Sequence, residues 1–433
     1  MNKLVYYAGI YTVSAGLLKL AGFVLFLWLA RTLSVDDYAS FGLFYSLQTG
    51  LITFGLVGIV EAIVGLLKVH RSVEEQRVLF AVANSTLSIT LVSSIVFALL
   101  VFVIFINQSE ISFLTLACVL VSGSLMAYST LQSQIVRLEE KHLSSLCFSF
   151  VLPLAGLVGS LVAFYHERTV QSFFLGSAIG LLISVAGLWI SRVGFYGVAD
   201  RLIETRPILL RVTPFIAVAF LGWLSGYGNN YVIKLLFDSK EVAKFTFAFG
   251  LSSIMQLIAS ALNQVWAPRF YRITHELPFE QVEKKNLKFY RIQGFVLGLF
   301  GGIVIAAFPS AMSMIKGNLV YYQSMTLELV LLFSSYVILS PYWHCSNYFL
   351  DYDKGPDIMR ITVITSTIGI FAWIILMWWL GSIGIYIGFL TQMLLRSVGI
   401  TFAAKKYWPV KVSWDGVVVG ILLTSLGFIF SKM

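Results

Sequence analysis

Apolar runs of about 20 residues or more recur along nearly the whole chain, and they limit its fold more than any other feature. They cover residues 5–30, 41–67, 79–106, 111–136, 144–165, 171–191, 211–236, 242–266, 289–312, 323–349, 358–380 and 383–403. Runs of this length cross a bilayer as helices. Lipid offers no partner for backbone polar groups, so only helices or a closed barrel can span it. The runs are about twice the length of a barrel strand and do not alternate in polarity. With 58% hydrophobic and 12% charged residues and a mean hydropathy of +0.86, the chain reads as an all-α polytopic membrane protein of twelve transmembrane helices. A weaker run at 413–431 is a candidate thirteenth, but its uninterrupted apolar part, 416–430, is short for a core of roughly 30 Å. The first run is too long for a signal peptide, is interrupted by Lys19, and precedes no small-residue cleavage site.

The formal net charge is +9. With the N-terminus placed inside and the runs alternating, 21 Lys and Arg residues fall in inner loops and 5 in outer ones. That asymmetry predicts a cytoplasmic N-terminus and accounts for the basic balance without nucleic acid. No loop is large enough for a soluble domain. The longest polar stretch, about 267–290, is predicted to carry a short cytoplasmic amphipathic helix. Cys118, Cys147 and Cys345 lie inside apolar runs and read as packing residues. Asp351, Asp353 and Asp357 form a short turn with Lys354, Gly355 and Pro356 rather than a metal cluster. The five histidines show no ligand spacing and there is no phosphate-binding loop, so no resident cofactor and no enzymatic activity are expected.

The chain echoes itself. Shifted by about 204 residues, LSVDDYASFGLFYSL (33–47) lies over FDSKEVAKFTFAFGL (237–251), with Ala39, Phe41 and Leu47 meeting Ala243, Phe245 and Leu251, and Asp37 meeting Glu241. Both stretches are outer turns between the first and second helices of a six-helix block. The expected organisation is therefore an N-terminal six-helix bundle (1–192), a cytoplasmic linker (193–206), a parallel C-terminal six-helix bundle (207–403) and an appendage (404–433). This is a common transporter plan, with substrate between two halves that rock to expose it alternately.

Four stretches carry a family resemblance: LARTLSVDDYASFGLF (29–44), FTFAFGLSSIMQLIASALNQVWAPRFYR (245–272), DYDKGPD (351–357) and WWLGSIGIYIGFL (378–390). In order and spacing, over about residues 1–405, the chain resembles the bacterial polysaccharide transporter family. Its members are O-antigen or Wzx-type lipid-linked oligosaccharide flippases of the superfamily that includes multidrug and toxin extruders. The resemblance implies a MATE-like fold in the bacterial inner membrane. It also implies a lipid-linked oligosaccharide cargo, contact with membrane lipids and other polysaccharide-assembly proteins, and coupling to an H+ or Na+ gradient. Alternatives are a multidrug or cation extruder of the same superfamily, or a membrane glycan polymerase.

Ionisable residues inside spans usually face a cavity. Lys19 lies near the middle of the first span, Glu61 toward the inside, Lys234 and Glu328 toward the outside, and Arg396 slightly inside the midplane. Lys19, Arg396 and Lys234 suit phosphate oxygens or acidic sugars, and Glu61 and Glu328 are the candidate ion-coupling carboxylates. A structural pairing of Lys19 with Glu61, and a snorkelling Lys234, are the competing readings. Polar residues recur at helical spacing as Ser124, Tyr128 and Gln132, as Ser252, Gln256, Ser260 and Asn263, and as Glu328, Ser335, Tyr342 and Ser346, with Pro341 predicted to kink the last helix. Such stripes point to a wet, sugar-compatible cavity lined by Tyr128, Gln132, Gln256, Asn263 and Tyr342. Trp223, Tyr227, Trp266, Tyr342 and Trp343 are candidates for stacking on sugar rings.

Overall fold

A computed structural model describes residues 2–67, 73–105, 113–191, 205–352 and 354–432. Lys68, Arg71, Arg192, Arg201 and Asp353, and all but the last two residues of the expected linker, lie outside these. Every regular element among the described residues is helical. Ten helices there are long and apolar enough to cross a membrane, and the chain is a multi-span membrane protein. It divides into two compact units, residues 1–231 and 232–433.

The first unit holds α1 (Asn2–Thr32), α2 (Val35–Leu56), α3 (Ile59–Leu67), α4 (Val73–Phe105) and α5 (Phe113–Leu138). It continues with α6 (His142–Leu146), which a π turn at Cys147–Val151 joins to α7 (Leu152–His166), then α8 (Val170–Ile190) and α9 (Arg206–Leu224). The next helix, α10 (Asn229–Leu236), begins in this unit and crosses its boundary. The second unit holds α11 (Ser239–Glu276), α12 (Phe279–Ile315), α13 (Thr326–Ile338), α14 (Ser340–Asp351), α15 (Gly355–Leu380), α16 (Ile383–Lys405) and α17 (Trp414–Phe430).

The internal echo has a local physical basis. Ser34 caps α2 by accepting the Asp37 N–H at 3.1 Å. Asp238, which the 204-residue shift aligns with Ser34, caps α11 by accepting the Glu241 N–H at 3.1 Å. In each case a short polar side chain satisfies an N–H that the first helical turn leaves unpaired. All three identical pairs are buried: Ala39, Phe41 and Leu47 in one unit, Ala243, Phe245 and Leu251 in the other. The acidic residues of the opening turn are thus helix-start chemistry, and the identities behind them are core.

Several spans are broken. Between α2 and α3 the chain turns at Gly58, whose φ is +66° and whose missing Cβ leaves room for the Phe215 ring 2.7 Å from where it would sit. The run at 211–236 is interrupted over 225–228, between α9 and α10. The run at 323–349 is not merely kinked but split at Leu339 into α13 and α14, with Pro341 in the first turn of the latter.

The polar stretch 267–290 departs from expectation. It is no separate amphipathic helix: α11 runs on through Pro268 to Glu276, and α12 starts at Phe279 after two intervening residues. Phe270 and Ile273 of α11 and Val282 of α12 are buried in one cluster with Tyr348 and Phe349 of α14. Apolar packing therefore carries both helices past the end of the hydropathy signal. The 413–431 run forms α17, which packs along α12 at a stripe of glycines. A Cβ on Gly294 would lie 2.6 Å from the Gly416 carbonyl oxygen, and Gly298 and Gly302 abut Gly420 and Gly427 in the same way. Small residues let transmembrane helices approach to backbone contact, where dispersion drives association in lipid.

Candidate functional site

In the first unit the polar residues of the spans pair with one another. Gln132 of α5 donates to Asn84 Oδ1 of α4 at 2.6 Å, and Gln48 of α2 donates to Ser122 of α5 at 2.8 Å. Tyr128, one turn from Gln132, is half-buried with its ring against Phe148. The gap between α9 and α10 is stitched to α2: Trp223 Nε1 donates to the Ser46 carbonyl at 2.8 Å, Ser46 Oγ to the Tyr227 carbonyl at 2.6 Å, and Tyr231 Oη to the Leu43 carbonyl at 2.6 Å. Asn230 Nδ2 donates to the Gly42 carbonyl at 3.2 Å. Ser46 thereby satisfies a carbonyl in the interruption, that of Tyr227, while the other three bonds end on carbonyls of the intact α2. Trp223 is buried among Phe54, Phe97 and Phe220, so it serves packing and not sugar stacking.

Lys19 on α1 and Glu61 on α3 are both exposed, and among the described residues no ion pair joins them. Glu61 lies three residues beyond the Gly58 turn.

The second unit gathers more of the sequence-selected residues. The Arg396 guanidinium of α16 lies over the Tyr342 ring at 4.9 Å. The Tyr342 hydroxyl is 3.2 Å from Thr362 Oγ1 of α15. Arg396 Nε is buried and makes no hydrogen bond, and among the described residues no carboxylate pairs with it. Tyr342 opens α14 directly after the α13–α14 break, so the cation sits beside the interruption of a span. Asn263 of α11 accepts from Tyr290 Oη of α12 at 2.7 Å, and Asn347 of α14 donates to the same Tyr290 oxygen at 2.8 Å.

The remaining candidates stand apart from this group. Gln256 is exposed on α11. Lys234 donates to Ser239 Oγ at 2.7 Å, across the turn between α10 and α11. Glu328 is half-buried in the first turn of α13. Within the polar stripes, Ser252, Ser260, Ser335 and Ser346 bond to carbonyls of their own helices, which is local satisfaction rather than a lining. Trp266 stacks on Phe289 at 4.6 Å and donates to Asn286 at 2.8 Å; it is packing too. Among the described residues no group of acidic, histidine or cysteine side chains is arranged to hold a metal.

Sequence reasoning missed Glu283, Asn286 and His344, all buried between α12 and α14. Glu283 belonged to the polar stretch expected to carry a short cytoplasmic amphipathic helix, and His344 to a scattered set without spacing. The missing signal was that α12 begins well before its apolar run.

Comparisons with known proteins identify the family and the fold. A profile described as polysaccharide biosynthesis protein matches residues 6–274. The chain belongs to that family. Solved structures with the same fold include a lipid II flippase, MurJ, in an inward closed conformation, at 14% identity and a TM-score of 0.70, covering 98% of each chain. A multidrug resistance MATE family transporter in an inward-facing conformation matches at 18% identity and a TM-score of 0.67, covering 90% of this chain and 96% of the other. A further MATE structure, in the straight conformation, matches at 16% identity and a TM-score of 0.60 over 92% and 96%. No curated protein matches the sequence. The fold of this family member is that of flippases and MATE transporters, and these solved relatives are transporters, not enzymes.

Proposed function

We propose that the chain is a flippase that carries a polyprenyl-diphosphate-linked oligosaccharide from the inner to the outer leaflet of the bacterial inner membrane by alternating access, with its N-terminus in the cytoplasm. The observation that carries this reading is Arg396. A guanidinium within an apolar span is costly, and this one has a ring beneath it, a buried Nε without a hydrogen bond and, among the described residues, no carboxylate partner. Such a group is compensated by an anion brought from outside the protein, and a diphosphate offers the paired acceptor oxygens that a guanidinium binds best. Lys19, exposed on α1 of the first unit, is the other cation proposed to hold acidic groups of the cargo. In the second unit Asn263 and Tyr342, with the exposed Gln256, supply amide and hydroxyl groups for the glycan, whereas Gln132 is committed to Asn84 and Lys234 to Ser239. Glu61 and Glu328 couple the cycle to an H+ or Na+ gradient.

An uncompensated cation disfavours the cationic cargo of a multidrug extruder, although the fold serves both. The test is surface-glycan export in cells that depend on this chain, scored with Arg396→Ala, Arg396→Lys and Lys19→Ala at matched membrane levels. Arg396→Ala is expected to cut export at least tenfold and Arg396→Lys to retain part of it, because lysine keeps the charge and loses the fork. Wild-type export from Arg396→Ala would remove the residue from the pathway, and drug resistance without glycan export would select the extruder.

A further inference from the structure

A carboxylate sits inside the second unit with no lysine or arginine side chain paired to it among the described residues. Glu283 is 5% exposed. Its Oε1 accepts the Lys411 backbone N–H at 2.5 Å, and its Oε2 accepts the Tyr348 hydroxyl. Both donors are neutral. His344, fully buried on α14, has its Nε2 3.5 Å from Glu283 Oε1, yet neither ring nitrogen makes a hydrogen bond. The ring packs between Tyr290 at 5.2 Å and Tyr348 at 6.0 Å. Two costs therefore stand side by side: a buried carboxylate held only by dipoles, and a buried imidazole with no partner. The carboxylate and the imidazole thus face each other across 3.5 Å with the hydrogen-bonding capacity of the ring unused.

The site is closed by residues 406–413, the strap between α16 and α17. Trp408 packs on Tyr348, Phe349 and Tyr352, with ring centroids 5.8, 5.1 and 5.3 Å away. Tyr407 donates to Asp357 at 3.1 Å, and Lys354 lies 3.7 Å over the Tyr407 ring. At the far end of the strap Arg291 of α12 pairs with Asp415 at 2.6 Å. Lys411 contributes its amide to Glu283 while its side chain stays exposed.

The other titratable groups around the pair are Tyr348 and Cys345 on α14, Tyr290 on α12, Tyr271 on α11 and Lys405 at the end of α16. Lys284 and Lys285 of α12 and Arg272 and His275 of α11 are exposed. A second carboxylate in this unit has an equally buried side chain, that of Asp351 at the end of α14, whose Oδ1 lies 3.9 Å from Nε2 of the exposed His275.

We propose that Glu283 and His344 form a buried proton-binding site in the second unit, capped by the 406–413 strap. The site is separate from Glu61 and Glu328 and does not depend on the identity of the transported cargo. It makes the closure of the strap over α12 and α14 responsive to cytoplasmic pH, because the Lys411 amide bonds a carboxylate more strongly than a carboxylic acid.

The test uses the purified full chain in detergent, with nitrogen-15 histidine and NMR titration, the His344 signals being assigned with His344→Gln. Glu283→Gln is isosteric and is expected to weaken proton binding at His344 at least tenfold while leaving the exposed His275 unmoved. Tyr348→Phe, which removes only a donor to the carboxylate, is expected to move the same midpoint the opposite way and guards against misfolding of the first variant. Trp408→Ala is expected to speed exchange of the His344 proton with solvent at least tenfold. Coincident His344 titrations in wild type, Glu283→Gln and Tyr348→Phe would overturn the site, and unchanged exchange in Trp408→Ala would remove the strap from it.

Discussion

Residues that look alike in the sequence do different work once placed. Gln132 and Gln256 both fall on polar stripes, yet one bonds Asn84 inside the first unit and the other is exposed on α11. The Gln132–Asn84 pair is a buried amide–amide bond, and deleting one partner strands the other. Asn84→Ala is therefore expected to destabilise the protein by about 1–3 kcal/mol, read as a shifted thermal melt in detergent. Ser93→Ala, an exposed residue that bonds only its own helix, should change it little. Equal shifts in the two variants would show that the buried pair contributes nothing of its own.

At the scale of elements, the breaks and the glycine contacts organise the units. Two of the split spans break where a glycine meets a bulky partner, Gly58 against Phe215 and Gly228 against Trp223, and the third breaks just before Pro341 at the start of α14. The α12–α17 contact is the most demanding, since Gly298 and Gly420 meet backbone to backbone and no rotamer change can make room for a side chain. Gly298→Val is expected to force the helices apart and destabilise the second unit by about 1–3 kcal/mol, the usual range for overpacking. The same change at Gly187, where an added Cβ would meet no atom within 4 Å, is the control. Matched melting curves for the two variants would mean that α17 does not rely on this approach. Because α17 and the strap before it pack on α12 and α14, the segment expected to be an appendage is part of the second unit's core.

For the whole molecule, the charge asymmetry of the loops remains the basis for orientation. It predicts that a lone cysteine at Lys316, in a chain lacking Cys118, Cys147 and Cys345, reacts with a membrane-impermeant maleimide in intact cells. One at Lys285 should react only after the membrane is opened. Both positions are exposed, so accessibility within the protein does not confound the comparison. The reverse pattern would invert the topology and with it the direction proposed for transport. The compact-unit boundary at residues 231 and 232 lies well beyond the start of the second block expected from the repeat, because α9 and the first residues of α10 pack on α2, α3 and α4.

Hydropathy alone determined that this chain is a multi-span helical membrane protein. A local signal as short as Ser34–Asp37 and its counterpart Asp238–Glu241 located two matching helix starts. These properties follow from the solvent and from nearest neighbours in the chain, so they are written in composition and spacing. The stacking of Arg396 on Tyr342, the union of Glu283 with His344 and Lys411, and the pairing of α17 with α12 join residues far apart in the chain. Their geometry depends on which helices touch and at what depth. Only the packed helices decided that the guanidinium would lie over the Tyr342 ring while a carboxylate elsewhere was shut in with an imidazole.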